Sequence, residues 1–147
     1  MDIATALTNH IKCSGTESLI GAGTSARIYG DFVKQSVNRP YVILFEGGGQ
    51  TSPLLVGTSG CAQSSFQIWS VDDDASGSVA LWEIIRVAID RYGPGYMDEV
   101  WVQEISQVGW RETGVIQPRD NSPQRLFYTQ STYDIWYSVP TVAHQGV

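Results

Sequence analysis

Ser65-Phe-Gln-Ile-Trp-Ser-Val71, then Asp72-Asp-Asp74, then the stretch from Ser76 to Tyr92 decide the fold between them. Over residues 65–71 large apolar and polar side chains largely alternate, which is the period of a strand with two unlike faces. From Ser76 the period changes. Leu81, Trp82, Ile85, Ala88, Ile89 and Tyr92 recur at helical spacing as a wide apolar stripe, with Glu83, Arg86 and Asp90 opposite, so a helix is predicted over about 76–92. The three aspartates between the two elements suit a helix start, where side-chain oxygens accept orphan backbone N–H groups and negative charge faces the positive end of the dipole. Gly93-Pro94-Gly95 supplies the stop.

Working outward, Pro40 opens Tyr41-Val-Ile-Leu-Phe-Glu46, a β-branched and aromatic run that reads as a central strand buried on both faces. Ala26-Arg-Ile-Tyr29 reads as a short strand before it. At the N-terminus Asp2 is placed to cap a helix over about Ile3 to Lys12, with Ala4, Leu7, Thr8 and Ile11 on one face, and Ser14-Gly15 ends it. Between the second and third strands lie fourteen residues, Gly47 to Gly60, with five glycines and one proline. They are expected to form a long flexible hairpin excursion, and loops of that length are usually functional or disordered. Gly47, Gly48, Gly49, Leu54, Leu55 and Val56 are its candidate docking residues. Beyond the main helix, Glu99 to Val108 and Arg125 to Val139 read as two strands separated by a polar loop, and residues from about 140 to 147 as a tail.

The order is helix, three strands, helix, two strands in one domain spanning 1–147, which predicts an α+β fold: a mostly antiparallel sheet with two helices packed on one face. The last strand carries aromatic residues on both faces, Leu126, Tyr128 and Trp136 on one and Phe127, Tyr133, Ile135 and Tyr137 on the other. Two helices cover one face only. The surplus apolar surface calls for another sheet or a neighbouring subunit, with Trp110, Tyr133, Trp136 and Tyr137 as candidate subunit-interface residues.

Composition narrows the function. The 147 residues include only 16% charged residues, against roughly 25% in an average soluble protein, while aromatics reach 11% with five Trp and seven Tyr. Nine basic residues against fifteen acidic ones give a net charge of −6, which opposes phosphate-backbone binding. Cys13 and Cys61 lack metal spacing or a C-x-x-C pattern and read as reduced thiols. Met1-Asp2-Ile3-Ala4 has an acid where a secretion signal needs positive charge, and no apolar run is long enough to span a membrane.

No catalytic, cofactor or metal site is expected. Asp72 to Glu83 fits the oxygen spacing of a calcium loop, but a strand precedes it where a paired calcium motif has a helix, and helix capping accounts for the acids. Gly21-Ala-Gly23-Thr-Ser-Ala26 resembles a dinucleotide fingerprint without the strand before it or the helix after it. Gly47-Gly-Gly49 lacks the Lys of a phosphate loop, and Gly57-Thr-Ser59-Gly-Cys61 lacks the second glycine of a nucleophile elbow. His10 and His144 lie at opposite ends. Glu99, Glu104 and Asp134 read as solvated acids on strand faces, and Trp101, Trp110 and Trp136 could form a platform for a sugar or peptide.

Taken in order, Ala26-Arg-Ile-Tyr-Gly30, Arg39-Pro-Tyr-Val-Ile-Leu-Phe-Glu46, Ser65-Phe-Gln-Ile-Trp-Ser-Val71 with the long helix after it, and Thr132-Tyr-Asp-Ile-Trp-Tyr137 resemble the phage tail-completion family that includes the tail terminators of long-tailed siphophages. The resemblance implies a virion protein assembled in the host cytoplasm, whose subunits close into a hexameric ring. Such a ring caps the tail tube, stops its polymerisation and offers the head-tail joining surface. Its partners would be further copies, the tail tube protein and a head-tail connector or head-closure protein, with DNA passing through the lumen without specific binding. No catalytic residue and no cofactor comes with the resemblance. Head-closure and neck proteins share the same ring logic, and a monomeric aromatic-platform module is the reading from another class.

Overall fold

The alternation around Trp69 becomes the middle of a strand at the centre of a six-stranded sheet. The computed structural model describes residues 1–30, 38–52, 59–116 and 125–140, with the backbone alone for 48–52, 59–61 and 139–140. In chain order the elements are α1 (Ile3–Lys12), α2 (Glu17–Ile20), a 3-10 turn (Gly23–Ser25), β1 (Ile28–Tyr29), β2 (Tyr41–Ser52), β3 (Ser59–Asp72), α3 (Ala75–Ile89), β4 (Gly95–Met97), β5 (Val100–Ile116) and β6 (Leu126–Pro140). The strand order is β1-β2-β3-β6-β5-β4, and every pairing is antiparallel except that of β1 with β2. The α+β class and the mostly antiparallel sheet are as expected. Short α2 and β4 are additions that carried no periodic signal, being only one turn and three residues long.

Both longer helices pack on one face. Val42, Leu44, Phe66, Ile68, Val102, Ile105, Tyr133 and Ile135 of the sheet meet Ile3, Leu7 and Ile11 of α1 and Leu81, Ile85 and Ile89 of α3 in one core. Each such side chain contributes roughly 1.5–3 kcal/mol when fully removed from water. Asp2 caps α1 by accepting a bond from the Thr5 N–H at 2.7 Å, as its position predicts. The buried face of α1 is Ile3, Ala6, Leu7 and Ile11, rolled away from the expected Ala4 and Thr8. Burying branched Ile3 removes more apolar surface than burying Ala4, and Ala4 is left at the core's margin.

The helix α3 stops at Ile89, three residues short of the expected end. Its continuation is taken up by the sheet: Arg91 N–H donates to the Ile105 carbonyl at 2.8 Å, and Ile105 N–H donates to the Tyr92 carbonyl at 3.0 Å. Arg91 adopts φ 62 to make this exit. Strand β5 runs eight residues past the expected Val108 because it continues through two register shifts, at Val102/Glu104 and Val108/Glu112. Gly109, with φ 72, sits in the second, where a left-handed backbone lets the strand bulge and resume. A bulge of that kind resets the alternation, so the pattern stops reading as one strand.

The glycine-rich excursion is also more regular than its composition suggests. Strand pairing extends to Ser52 opposite Cys61, with a register shift between Glu46 and Gly49. Gly47 and Gly48 fall in that shift and Gly49 pairs with Ser64, whereas Leu54, Leu55 and Val56 lie outside the described residues, as do 141–147 of the tail. The flexible loop expected over 47–60 is therefore strand over 47–52 and from Ser59 onward.

On the face away from the helices, Tyr41, Ile43, Val71 and Leu126 form a second, smaller core with Tyr29, Phe45, Trp69, Ile116 and Tyr128 packed against it. Trp69 and Tyr128 approach to 4.5 Å between ring centres. Part of the surplus apolar surface is thus used within the chain itself. The last strand divides as its alternation requires, with Tyr133, Ile135 and Tyr137 toward the helices and Leu126 and Tyr128 in the second core.

Candidate assembly surface

Where β5 bulges beside α3, a buried polar ladder and an exposed aromatic meet. Ser78 and Trp82 lie four residues apart on α3, a rise of about 6 Å. Thr129 and Ser131 lie two apart on β6, a rise of about 6.6 Å. The two spacings match closely enough for both pairs to bond: Ser78 Oγ lies 2.9 Å from Thr129 Oγ1, and Trp82 Nε1 donates to Ser131 Oγ at 2.7 Å. All four residues are buried. The sequence reading took no account of them, although a Ser on the apolar stripe and a Thr-x-Ser in an aromatic strand were the available signal.

The bulge lays Trp110 over this ladder. Its ring stands edge-on to Trp82 at 5.5 Å, and Trp110 itself is 68% exposed. The Arg111 guanidinium lies 5.1 Å from the Trp82 ring centre and 5.7 Å from that of Trp110, so one cation touches two indoles. Arg86 also approaches Trp82, at 5.8 Å from its ring centre, and pairs with Glu83. Hydrogen bonding from Arg86 holds the Glu83 carboxyl below its usual range. Beside the bulge, Asp90, Gly93, Gln103, Glu104, Gln107 and Trp110 are among the residues lining an open cleft of about 630 Å³.

The four expected interface residues do not share one surface. Tyr133 is corrected from interface to core: it is 1% exposed on the helix side, and burial pushes its phenol pKa far up. Tyr137 is half-buried against the same core and its hydroxyl lies 3.2 Å from Ser64 Oγ. Trp136 alternates with buried Ile135 and points to the opposite face, which leaves Trp110 as the one large exposed side chain of the set. A single platform of Trp101, Trp110 and Trp136 is excluded for the same reason, because Trp110 packs on the helix side. Trp101 stands edge-on to Tyr96 at 4.9 Å.

The acidic turn starts α3. Asp74 accepts from the Gly77 N–H and from Ser76 Oγ, and among the described residues no three His, Cys, Asp or Glu side chains gather as a metal ion would need. Asp74→Ala should lower stability by about 1 kcal/mol, read as a shift in the urea midpoint, since the cap is lost and its donors are left to water. Asp72 behaves differently. Burial raises its pKa above 3.8, with repulsion from Asp74 and Asp73 adding to that, against the Asp73 N–H and Arg39 that lower it. A carboxyl whose folded pKa is raised holds its proton more tightly when folded, so ionisation opposes folding at pH above that pKa and not below the unfolded value. Asp72→Asn should therefore raise the thermal midpoint near pH 7 and give no advantage near pH 3.

His10 joins the helices rather than a reactive site: Nε2 lies 3.2 Å from the Ala88 carbonyl and the ring stands edge-on to Tyr92 at 5.0 Å. Asp134 accepts from Ser65 Oγ at 2.6 Å. Cys13 is an exposed free thiol, and His144 lies outside the described residues. No helix among the described residues is long and apolar enough to cross a membrane.

No protein-family model and no curated protein matches the sequence. Among solved structures, the fold is similar to that of a chain in the virion of a native gene transfer agent particle, with a TM-score of 0.66 at 12% identity, covering 93% of this chain and 95% of that one. At that identity the likeness is one of fold, and it extends over nearly the whole of both chains.

Proposed function

We propose that this chain is a structural subunit of a phage-like virion, and within it a tail terminator: a ring that caps the tail tube, stops its growth and presents the joining surface for the head. The observation that carries the reading is the end-to-end likeness of the fold to a chain from an assembled gene transfer agent virion. The order of motifs from Ala26-Arg-Ile-Tyr-Gly30 to Thr132-Tyr-Asp-Ile-Trp-Tyr137 supports the same class independently of the fold. An exposed Trp110 at a strand bulge and a low charged fraction suit a surface that is covered on assembly. No catalytic role is assigned to any residue.

Deleting the gene in a particle-producing host tests this. Electron microscopy should show filled heads and unjoined tails, some of uncontrolled length, with both defects repaired by the gene in trans. Joined particles with tails of normal length would overturn the terminator reading.

A further inference from the structure

The cleft of about 630 Å³ beside the bulge of β5 carries polar groups that the fold leaves unused. Arg91 and Glu104 both line it, both are exposed, and neither makes an ion pair or a side-chain hydrogen bond among the described residues. Arg91 stands at φ 62, where a glycine would meet less strain, so a side chain is kept at a backbone position that disfavours one. Gln103 and Gln107 line the same cleft. Their amide N–H groups donate to Ser138 Oγ at 3.1 Å and to the Gly109 carbonyl at 3.3 Å, which fixes both side chains and leaves their amide oxygens without a donor among the described residues. Asp90, also in the lining, accepts from the Gln107 N–H at 3.3 Å.

Trp110 adds the apolar element. Its indole is 68% exposed and borders the cleft, while the edge-on contact with Trp82 and the neighbouring Arg111 guanidinium hold it in place. We infer that this cleft binds an oligosaccharide, with Trp110 stacked on one pyranose ring and Arg91, Glu104, Gln103 and Gln107 bonded to the hydroxyls beside it. The site goes beyond the virion reading and does not depend on it; a neighbouring subunit and a sugar would compete for Trp110.

The lining selects this class of ligand. Each sugar hydroxyl both donates and accepts, so it is satisfied by a set that offers acceptors, here the Glu104 carboxylate and the two amide oxygens, together with donors, here the Arg91 guanidinium. The C–H face of a pyranose is weakly positive and suits the negative face of an indole. Other occupants fit less well. An apolar ligand would desolvate Arg91 and Glu104 without pairing them, and a nucleic acid would meet Asp90, Glu104 and a chain of net charge −6. An added peptide strand is disfavoured because the bulge at Gly109 and the charges of Arg111 and Glu112 protect that length of β5. The volume falls within the roughly 300–1,000 Å³ of small-ligand clefts.

The test is calorimetric titration of the full-length protein with linear tetrasaccharides of glucose, mannose, galactose and N-acetylglucosamine, and with a duplex oligonucleotide as the contrasting probe. At least one tetrasaccharide should bind saturably. Trp110→Ala should weaken that binding about tenfold or more, as loss of an aromatic anchor does, whereas Trp110→Tyr, which keeps a ring to stack on, should retain most of it. Glu104→Gln and Arg91→Gly should each weaken it by about threefold to tenfold, the worth of one or two hydrogen bonds. Arg91→Gly should nonetheless melt no lower than wild type, because glycine relieves the strained backbone, and this separates binding from folding. Val87→Ala, exposed on α3 and outside the cleft, should bind as wild type does. No saturable binding of any tetrasaccharide, or binding unchanged by Trp110→Ala or by both charge variants, would overturn the site. Binding of the duplex alone, lost in Arg91→Gly, would overturn it in favour of a phosphate-binding cleft.

Discussion

Ile85→Asp should leave little folded protein, whereas Val87→Asp, two residues along the same helix, should be nearly silent. Ile85 is 1% exposed and sits between Leu81 and Ile89 in the core beneath α3, while Val87 is 68% exposed. At position 85 the substitution loses an aliphatic side chain and places a carboxyl in a largely apolar core. Together these should cost about 4–5 kcal/mol or more, against a total of roughly 5–15 kcal/mol for a domain. On the exposed face the change should stay within about 0.5 kcal/mol. Soluble yield and the urea midpoint measure both. Equal damage from the two substitutions would mean that the face of α3 has been misassigned.

Trp82→Ala is expected to lower stability by about 3–5 kcal/mol, the range for removing a buried aromatic. Trp82 is 1% exposed and ties α3 to β6 through Ser131, and it is the surface on which Trp110 and Arg111 rest. Trp82→Phe separates the two contributions. Keeping most of the packing but removing the indole N–H should cost about 1–2 kcal/mol, because Ser131 Oγ loses its short partner in a buried place. A phenylalanine variant as damaged as the alanine one would assign the larger share to the hydrogen bond. In the alanine variant the Trp110 side chain loses its edge-on neighbour, and its fluorescence should report greater exposure.

Helix positions were legible wherever a local rule decided them. Asp2 and Asp74 cap the helices because an acceptor three residues ahead of an orphan N–H acts within one turn. The stripe on α3 and the alternation around Trp69 were readable because each face meets a single environment. Rules of this kind failed on β5, where Gly109 shifts the register and hides eight residues of strand, and on Gly49 to Ser52, whose pairing comes from β3 and not from their own propensity. The end of α3 was misplaced for the same reason: Arg91 and Tyr92 are bonded to Ile105, a residue that no local pattern connects to them.

The interface residues separate along the same line. Aromatic content alone made Trp110, Tyr133, Trp136 and Tyr137 equivalent, yet one is 68% exposed and another 1%. The sequence by itself determined the element types, the caps, the α+β class and the excess of aromatic sheet surface, since each depends on periodicity or contacts within a few residues. Only the tertiary structure decided the strand order, the second core around Tyr41 and Ile43 and the Trp82–Trp110 stack. Those depend on which strands lie side by side, and pairing between strands distant in the chain is fixed by burial and backbone hydrogen bonds across the sheet.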